Sequence, residues 1–178
     1  SAQCLEDLAL MRVLPNMVVI SPVDTIEAQK ATRAIAAAKG PMYLRTSRAP
    51  LPVLTKESDP FRIGKANVLR EGKDVTIFGC GTMVSEALQA AETLGKEKIS
   101  AKVVNMHTIK PIDIQAIVSS VKETGAVVTA EEHQINGGLG SAVAEVIAQH
   151  AAAPMEMVAV KDSFGESGTP AQLQAHYG

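Results

Sequence analysis

Short runs of consecutive apolar residues alternate along this chain with longer stretches in which apolar positions return at helical spacing. The runs fall at residues 17–20, 42–44, 75–78, 102–104, 126–129 and 155–160, rich in Val, Ile and Met and bounded by Gly, Pro or polar residues. Strands covered by helices on both faces read this way, because neither face meets water. Between them lie helical patterns with recognisable ends. Asp24 with Glu27 three positions later forms a capping-box signature ahead of an Ala-rich stretch to Ala38, which Lys39, Gly40 and Pro41 close. Thr82, Ser85 and Glu86 open a helix over 84–94 that Gly95 should end, and Pro111 with Asp113 opens another that Gly125 should end. Residues 141–149 and 171–176 are further helical stretches, the last with Thr169 and Pro170 as N-cap and first helical position. Strand and helix in alternation predict an α/β fold, a three-layer α/β/α sandwich with a mostly parallel sheet. Residues 63–69, ahead of Glu71-Gly72-Lys73-Asp74, predict one added antiparallel edge strand reached through a tight turn.

The periodicity breaks once. Residues 49–59, with Pro50 and Pro52 and with Pro60 just beyond, mix polar residues without period, the composition of an inter-domain linker. The expected organisation is a partial α/β domain over 1–54, a linker over 55–60 and a second domain over 61–178. The first part is too small to bury a core alone, whereas a unit of ~115 residues is an ordinary domain.

Composition narrows the function classes. Apolar residues make up 46% of the chain and the net charge is −2 with both signs interspersed, so nothing points to a nucleic-acid or membrane surface. Two cysteines give neither a disulfide framework nor metal-ligand spacing, and Cys80, between two glycines after an apolar run, reads as a small buried residue. With neither a signal peptide nor a long apolar span, the expectation is a soluble cytoplasmic protein.

Three glycine-rich stretches invite chemistry. Gly79-Cys80-Gly81-Thr82 joins a strand to a helix but lacks the third glycine of a dinucleotide fingerprint, so it reads as a tight βα turn. Glu131-Glu132-His133, followed by Gly137-Gly138-Leu139-Gly140, lies beyond a strand end, where open α/β sheets bind ligands. Adjacent residues on extended chain point alternately, so the three side chains cannot converge on one atom. His133, Gly137 and Gly138 are therefore candidates for a structural turn, an anion-binding loop or an interface loop with His133 facing a partner. The stretch 162–170 has a serine between glycines but no ordered triad partners, and reads as a loop. Arg45 and Arg48 lie just past the strand at 42–44. A guanidinium fork there suits a phosphate, although from composition alone an arginine near a linker is more often an ion-pair partner. His107, His150 and His176 have no metal-like grouping, and no metal site is expected.

Cys4-Leu5-Glu6-Asp7-Leu8-Ala9-Leu10-Met11-Arg12, Pro15-Asn16-Met17, Pro22-Val23-Asp24 and Gly40-Pro41-Met42-Tyr43-Leu44-Arg45-Thr46-Ser47-Arg48 resemble the closing half of the transketolase pyrimidine-binding domain. Thr108-Ile109-Lys110-Pro111, Glu131-Glu132-His133 with Gly137-Gly138-Leu139-Gly140, and residues 162–170 resemble the transketolase C-terminal domain, in order along the chain. The details are most similar to the C-terminal half of transketolases split into two subunits. The resemblance implies thiamine-diphosphate-dependent transfer of a two-carbon ketol unit between sugar phosphates. It implies that thiamine diphosphate and Mg are held mainly by portions other than these residues, and that no catalytic residue lies within the chain. The implied partners are an N-terminal transketolase half or subunit, in a homodimer or heterotetramer. The expectation is a section clipped from a longer chain, inactive alone, whose first part lacks strands and so exposes an edge for docking. Arg48 matches the family's sugar-phosphate-binding arginine. Ala2 stands where relatives carry a histidine or glutamine, leaving Gln3 as a neighbouring substrate or cofactor contact. The competing expectations are a non-catalytic module binding a regulatory anion or nucleotide, or the equivalent section of a deoxyxylulose-phosphate synthase.

Overall fold

In the computed structural model, which describes residues 4–48 and 50–178, the first section of chain forms α1 (Asp7–Val13), β1 (Val18–Ile20), α2 (Thr25–Ala37) and β2 (Met42–Leu44). The cap read from the sequence sets the start of α2, where the Asp24 carboxylate accepts the Glu27 backbone N–H at 2.8 Å. The same carboxylate accepts the backbone N–H of Leu54 at 2.8 Å and of Thr55 at 2.6 Å, so the helix cap also fastens the chain as it returns. Between Leu44 and Asn67 the described residues form neither helix nor strand.

Beyond this irregular stretch follow β3 (Asn67–Arg70), β4 (Val75–Gly79), α3 (Met83–Lys96), β5 (Ala101–Asn105), β6 (Thr108–Lys110), α4 (Ile114–Thr124), β7 (Val127–Gln134), α5 (Leu139–His150), β8 (Met155–Val160) and α6 (Pro170–Tyr177). Five of these strands make one sheet in the order β3-β5-β4-β7-β8, parallel except for the edge strand β3, which runs antiparallel to β5. Alternation along each strand divides the core. Ile77, Val103 and Ala130 meet Ala87 and Ala91 of α3 on one face, while Phe78, Val104 and Val127 meet Ile117, Val121, Val143 and Ile147 of α4 and α5 on the other. The result is the three-layer α/β/α arrangement with one antiparallel edge that the pattern predicts.

The first section is not left with β1 at an open edge. β6 pairs antiparallel with β1, Thr108 opposite Ile20, and completes a three-stranded sheet β2-β1-β6. The Ser21 N–H donates to the His107 carbonyl at 2.8 Å and extends this seam. Leu8 and Val19 share one core with Phe78 and Leu139, so part of the first section's apolar surface packs on the chain's own second section, while Leu10, Val13 and Leu14 at α1 stay exposed. Glu27, buried on α2, ties the two sections by accepting from Val23 N–H and from the Asn105 side-chain amide, both at 2.8 Å. Three local boundaries also differ. α3 runs through Gly95 to Lys96, α4 begins at Ile114 because Asp113 serves as its N-cap, and β7 continues through Gln134 instead of stopping at Thr129. Among the described residues, no helix is long and apolar enough to cross a membrane.

Candidate functional site

The carboxyl ends of β1 and β4 meet: Gly81 N–H, just past β4, donates to the carbonyl of Ser21, just past β1, at 3.3 Å. Gly81 takes a φ of +53° and a side chain there would lie 2.7 Å from Ser21 Oγ, so glycine serves both the turn and this close approach. Beside this junction β2 delivers the two arginines. The Arg45 N–H donates to the Ile20 carbonyl at 2.8 Å, continuing the parallel ladder one residue past the strand. Its side chain turns inward. Arg45 Nε lies 3.1 Å from Asp7 Oδ2 with the side chain 18% exposed, and the Tyr43 hydroxyl donates to the same oxygen at 2.8 Å. Burial, and then the hydrogen bond and charge of Asp7, push the Tyr43 hydroxyl up to about 12, so it stays a donor at neutral pH. Arg48, three residues further on, is exposed. The structure thus separates two arginines that sequence treats alike: Arg45 is an internal ion-pair partner and Arg48 faces solvent at the strand end.

Arg45 is also close enough to act electrostatically on Cys80 and Glu131. Cys80 is buried, as expected, and burial drives its thiol upward, which makes it inert rather than nucleophilic.

The Glu131-Glu132-His133 stretch is strand, not loop, and alternation sends its side chains to opposite sides. Glu132 is exposed and accepts from the Thr82 hydroxyl at 2.8 Å. Glu131 turns inward and accepts the N–H groups of Leu139 and Gly140 at 2.7 and 2.8 Å, supplying the start of α5 with an acidic partner. Burial nonetheless raises its carboxyl above the usual range. A side chain on Gly138 would lie 2.0 Å from Glu131 Oε2, so the glycine makes room for this carboxylate.

His133 does not face a partner. It is 0% exposed, with Nε2 accepting the Ala9 N–H of α1 at 3.2 Å and Nδ1 donating to the Gln134 carbonyl at 2.7 Å. Gly137, at φ +85°, lies against Ala9 and its carbonyl accepts from Arg12 Nη1 at 3.2 Å. His133 and Gly137 therefore form an internal seat for α1, while Gly138 makes room for Glu131. Sequence proximity suggested a surface loop because the element covering it lies more than 120 residues away.

Gln3 and Ala2 lie outside the described residues. Among the described residues, no group of three or more His, Cys, Asp or Glu side chains could hold a metal ion. A groove of about 610 Å³ between α1 and α5 is lined by Arg12, Val13, Lys110, Glu145 and His150, and includes neither Arg45 nor Arg48. The stretch 162–169 is exposed and irregular, and Thr169 caps α6 as the sequence predicts. Sequence reasoning missed Asp7 as the shared partner of Arg45 and Tyr43. The one local signal was Tyr43 two positions before Arg45, on the same strand face.

Comparison with known proteins bears on these positions. Residues 64–178 match the family described as "Transketolase, C-terminal domain", and residues 1–53 match "Transketolase, pyrimidine binding domain". The chain is 46% identical over 174 residues to a 6-deoxy-6-sulfo-D-fructose transketolase subunit from Clostridium sp., covering 98% of this chain and 54% of that protein. It is 44% identical to a putative transketolase C-terminal section from Methanocaldococcus jannaschii, covering 100% of this chain and 56% of that protein. A solved structure described as "Split gene transketolase, inactive beta4 tetramer" superposes with a TM-score of 0.96 at 49% identity, covering 99% of this chain and 58% of that one. The chain thus spans about half the length of the curated relatives it matches.

Proposed function

The chain belongs to the transketolase family, and from that premise we propose that it works as the C-terminal section of a transketolase in which Arg48 binds the phosphate of the sugar substrate. Residues 1–54 are the closing part of a pyrimidine-binding domain, 55–60 a linker and 61–178 the C-terminal domain. The activity is two-carbon ketol transfer between sugar phosphates in the cytoplasm, by an assembly with an N-terminal transketolase half or subunit. Thiamine diphosphate, held with magnesium by that other portion, would supply the carbanion chemistry. The 178 residues contribute substrate binding and subunit contacts and are inactive alone.

The observation that supports this reading best is the position of Arg48, exposed three residues past β2 at the carboxyl end of a parallel strand. A guanidinium fork there pairs two donors with a phosphate, and binding energy from this remote end of the sugar can orient its reacting carbon.

In the complete enzyme, Arg48→Ala is expected to raise KM for phosphorylated sugars by about 100-fold, the worth of a charge-assisted pair, while leaving KM for their unphosphorylated counterparts nearly unchanged. Equal loss on both would remove Arg48 from the phosphate site. A panel including a 6-sulfo ketose, suggested by the Clostridium relative, tests the anion class. Preference for sulfonate over phosphate would overturn the sugar-phosphate assignment.

A further inference from the structure

We infer that Glu27 and Asn105 form a proton-sensitive joint between the two sections, one that tightens when Glu27 takes up a proton and loosens when it gives the proton up. Three observations lead to it.

First, these residues tie α2 to β5. Glu27 lies in the first turn of α2 and Asn105 ends β5. The Glu27 carboxylate divides its oxygens between the sections: Oε2 accepts the Val23 N–H and Oε1 accepts from the Asn105 side-chain amide.

Second, the charge has no counterpart. Glu27 is 2% exposed and has no ion-pair partner among the described residues. It faces the Asp24 carboxylate on its own helix, of the same sign, and the neutral amides of Asn105 on β5 and Asn67 on β3. Asp24 keeps its charge, because the N–H groups of Glu27, Leu54 and Thr55 and the Thr55 hydroxyl all donate to it. An acid buried without a cation, beside a second carboxylate, binds its proton more tightly than it does in water. Burial accordingly raises the Glu27 carboxyl above its usual range, against the bonds from Val23 and Asn105.

Third, the joint holds an acceptor without a donor. Asn105 is fully buried and its Oδ1 has no hydrogen-bond partner among the described residues. A proton on Glu27 Oε1 is the missing donor. Once the Asn105 amide turns over, that O–H donates to Oδ1 while Oε2 keeps the Val23 N–H. Asn67 stands opposite Asn105 on the neighbouring strand, on the same face, where its amide carbonyl can take the displaced NH2. Protonation thus relieves an unpaired buried acceptor and an uncompensated buried charge together.

Because the closed joint binds the proton more tightly than the open one, it gains stability as pH falls through the raised range of Glu27 and lacks that gain above it. His107, two residues past Asn105, acts in the opposite sense between pH 6.5 and about 4, since burial lowers its ring against the pull of Asp113.

The Ser21 amide, which donates across the seam to the His107 carbonyl, reports the joint by hydrogen exchange, with the Phe78 amide inside the second section as reference. Protection factors, corrected for intrinsic exchange, are compared between this chain and Glu27→Gln, whose neutral amide stands in for the protonated acid. His107 is present in both and cancels in their ratio. At pH 8 Glu27→Gln should protect Ser21 about tenfold better than wild type, and the ratio should fall towards one as pH approaches 5, with Phe78 much less affected. In wild type, the Glu27 carboxyl followed by carbon-13 NMR should titrate above 4.5, a measurement that needs no variant. Weaker Ser21 protection in Glu27→Gln at pH 8, a ratio independent of pH, or a carboxyl midpoint at or below 4.5 would overturn the inference.

Discussion

Replacing His107 by glutamine should remove most of one acid-sensitive component of this protein's stability. His107 sits between β5 and β6 with its carbonyl on Ser21 and its ring stacked on Phe61 at 4.4 Å, fully buried. Its Nδ1 pairs with the Thr108 hydroxyl at 2.9 Å, and Nε2 has no partner among the described residues. Burial lowers the ring from 6.5 to about 4, against a weaker opposing pull from Asp113. The unfolded chain therefore binds a proton where the folded chain does not. The stabilisation is complete above pH 6.5 and is lost as pH falls from 6.5 towards 4. The full loss is about 3 kcal/mol at 1.36 kcal/mol per pH unit, of which about 2 kcal/mol appears between pH 7.5 and 5. Urea unfolding at the two pH values, followed by circular dichroism because the chain has no tryptophan, gives the difference for wild type and for His107→Gln. Buried carboxyls such as Glu27 and Glu131, whose pKa values are raised, titrate in both proteins and cancel in the comparison. The variant starts lower at pH 7.5, having lost the stacking, but should lose about 2 kcal/mol less on acidification. Parallel losses in the two proteins would refute the argument that the neutral ring is held by burial.

Other substitutions test the remaining structural claims. Asp24→Ala removes the cap of α2 together with the acceptor of Leu54 and Thr55, and should cost about 4 kcal/mol in urea unfolding at pH 7. Burial raises the Asp24 carboxyl, but its hydrogen bonds outweigh that and hold it below 3.8, so the deficit of the variant should persist to low pH and shrink only below that value. Gly137→Ala places a methyl 2.6 Å from Ala9 Cβ at a φ of +85°. It should cost about 2 kcal/mol more by thermal unfolding than Gly125→Ala, where φ is +72° and nothing lies within 4 Å. The Arg48 variant described above completes the set on the side of substrate binding.

What the sequence made legible follows the range of the interactions. Asp24 with Glu27, and Thr169 with Pro170, mark helix starts locally; both N-caps form, although the Glu27 carboxylate turns to the Val23 N–H instead of closing a capping box on Asp24. The buried parallel strands were legible because helices on both faces leave unbroken apolar runs. β6 escaped notice because its partner in β1 lies nearly 90 residues upstream and its three residues have no pattern of their own. The Glu131–His133 stretch was taken for loop because charge in a strand interior is costly unless paired. The partners, the N–H groups opening α5 and that of Ala9 in α1, come from tertiary structure. The candidate site was half legible for the same reason. Two arginines past a strand end could be picked out locally, but which one turns inward was decided by Asp7, 38 positions before Arg45.

Ketol transfer from xylulose 5-phosphate to ribose 5-phosphate, with thiamine diphosphate and magnesium, tests the central claim most directly. It should be assayed with these 178 residues alone, and then with the full-length subunit and an N-terminal transketolase partner. Turnover only in the complete mixture is the predicted result. Turnover by the 178 residues alone, or none in the complete mixture, would contradict the account.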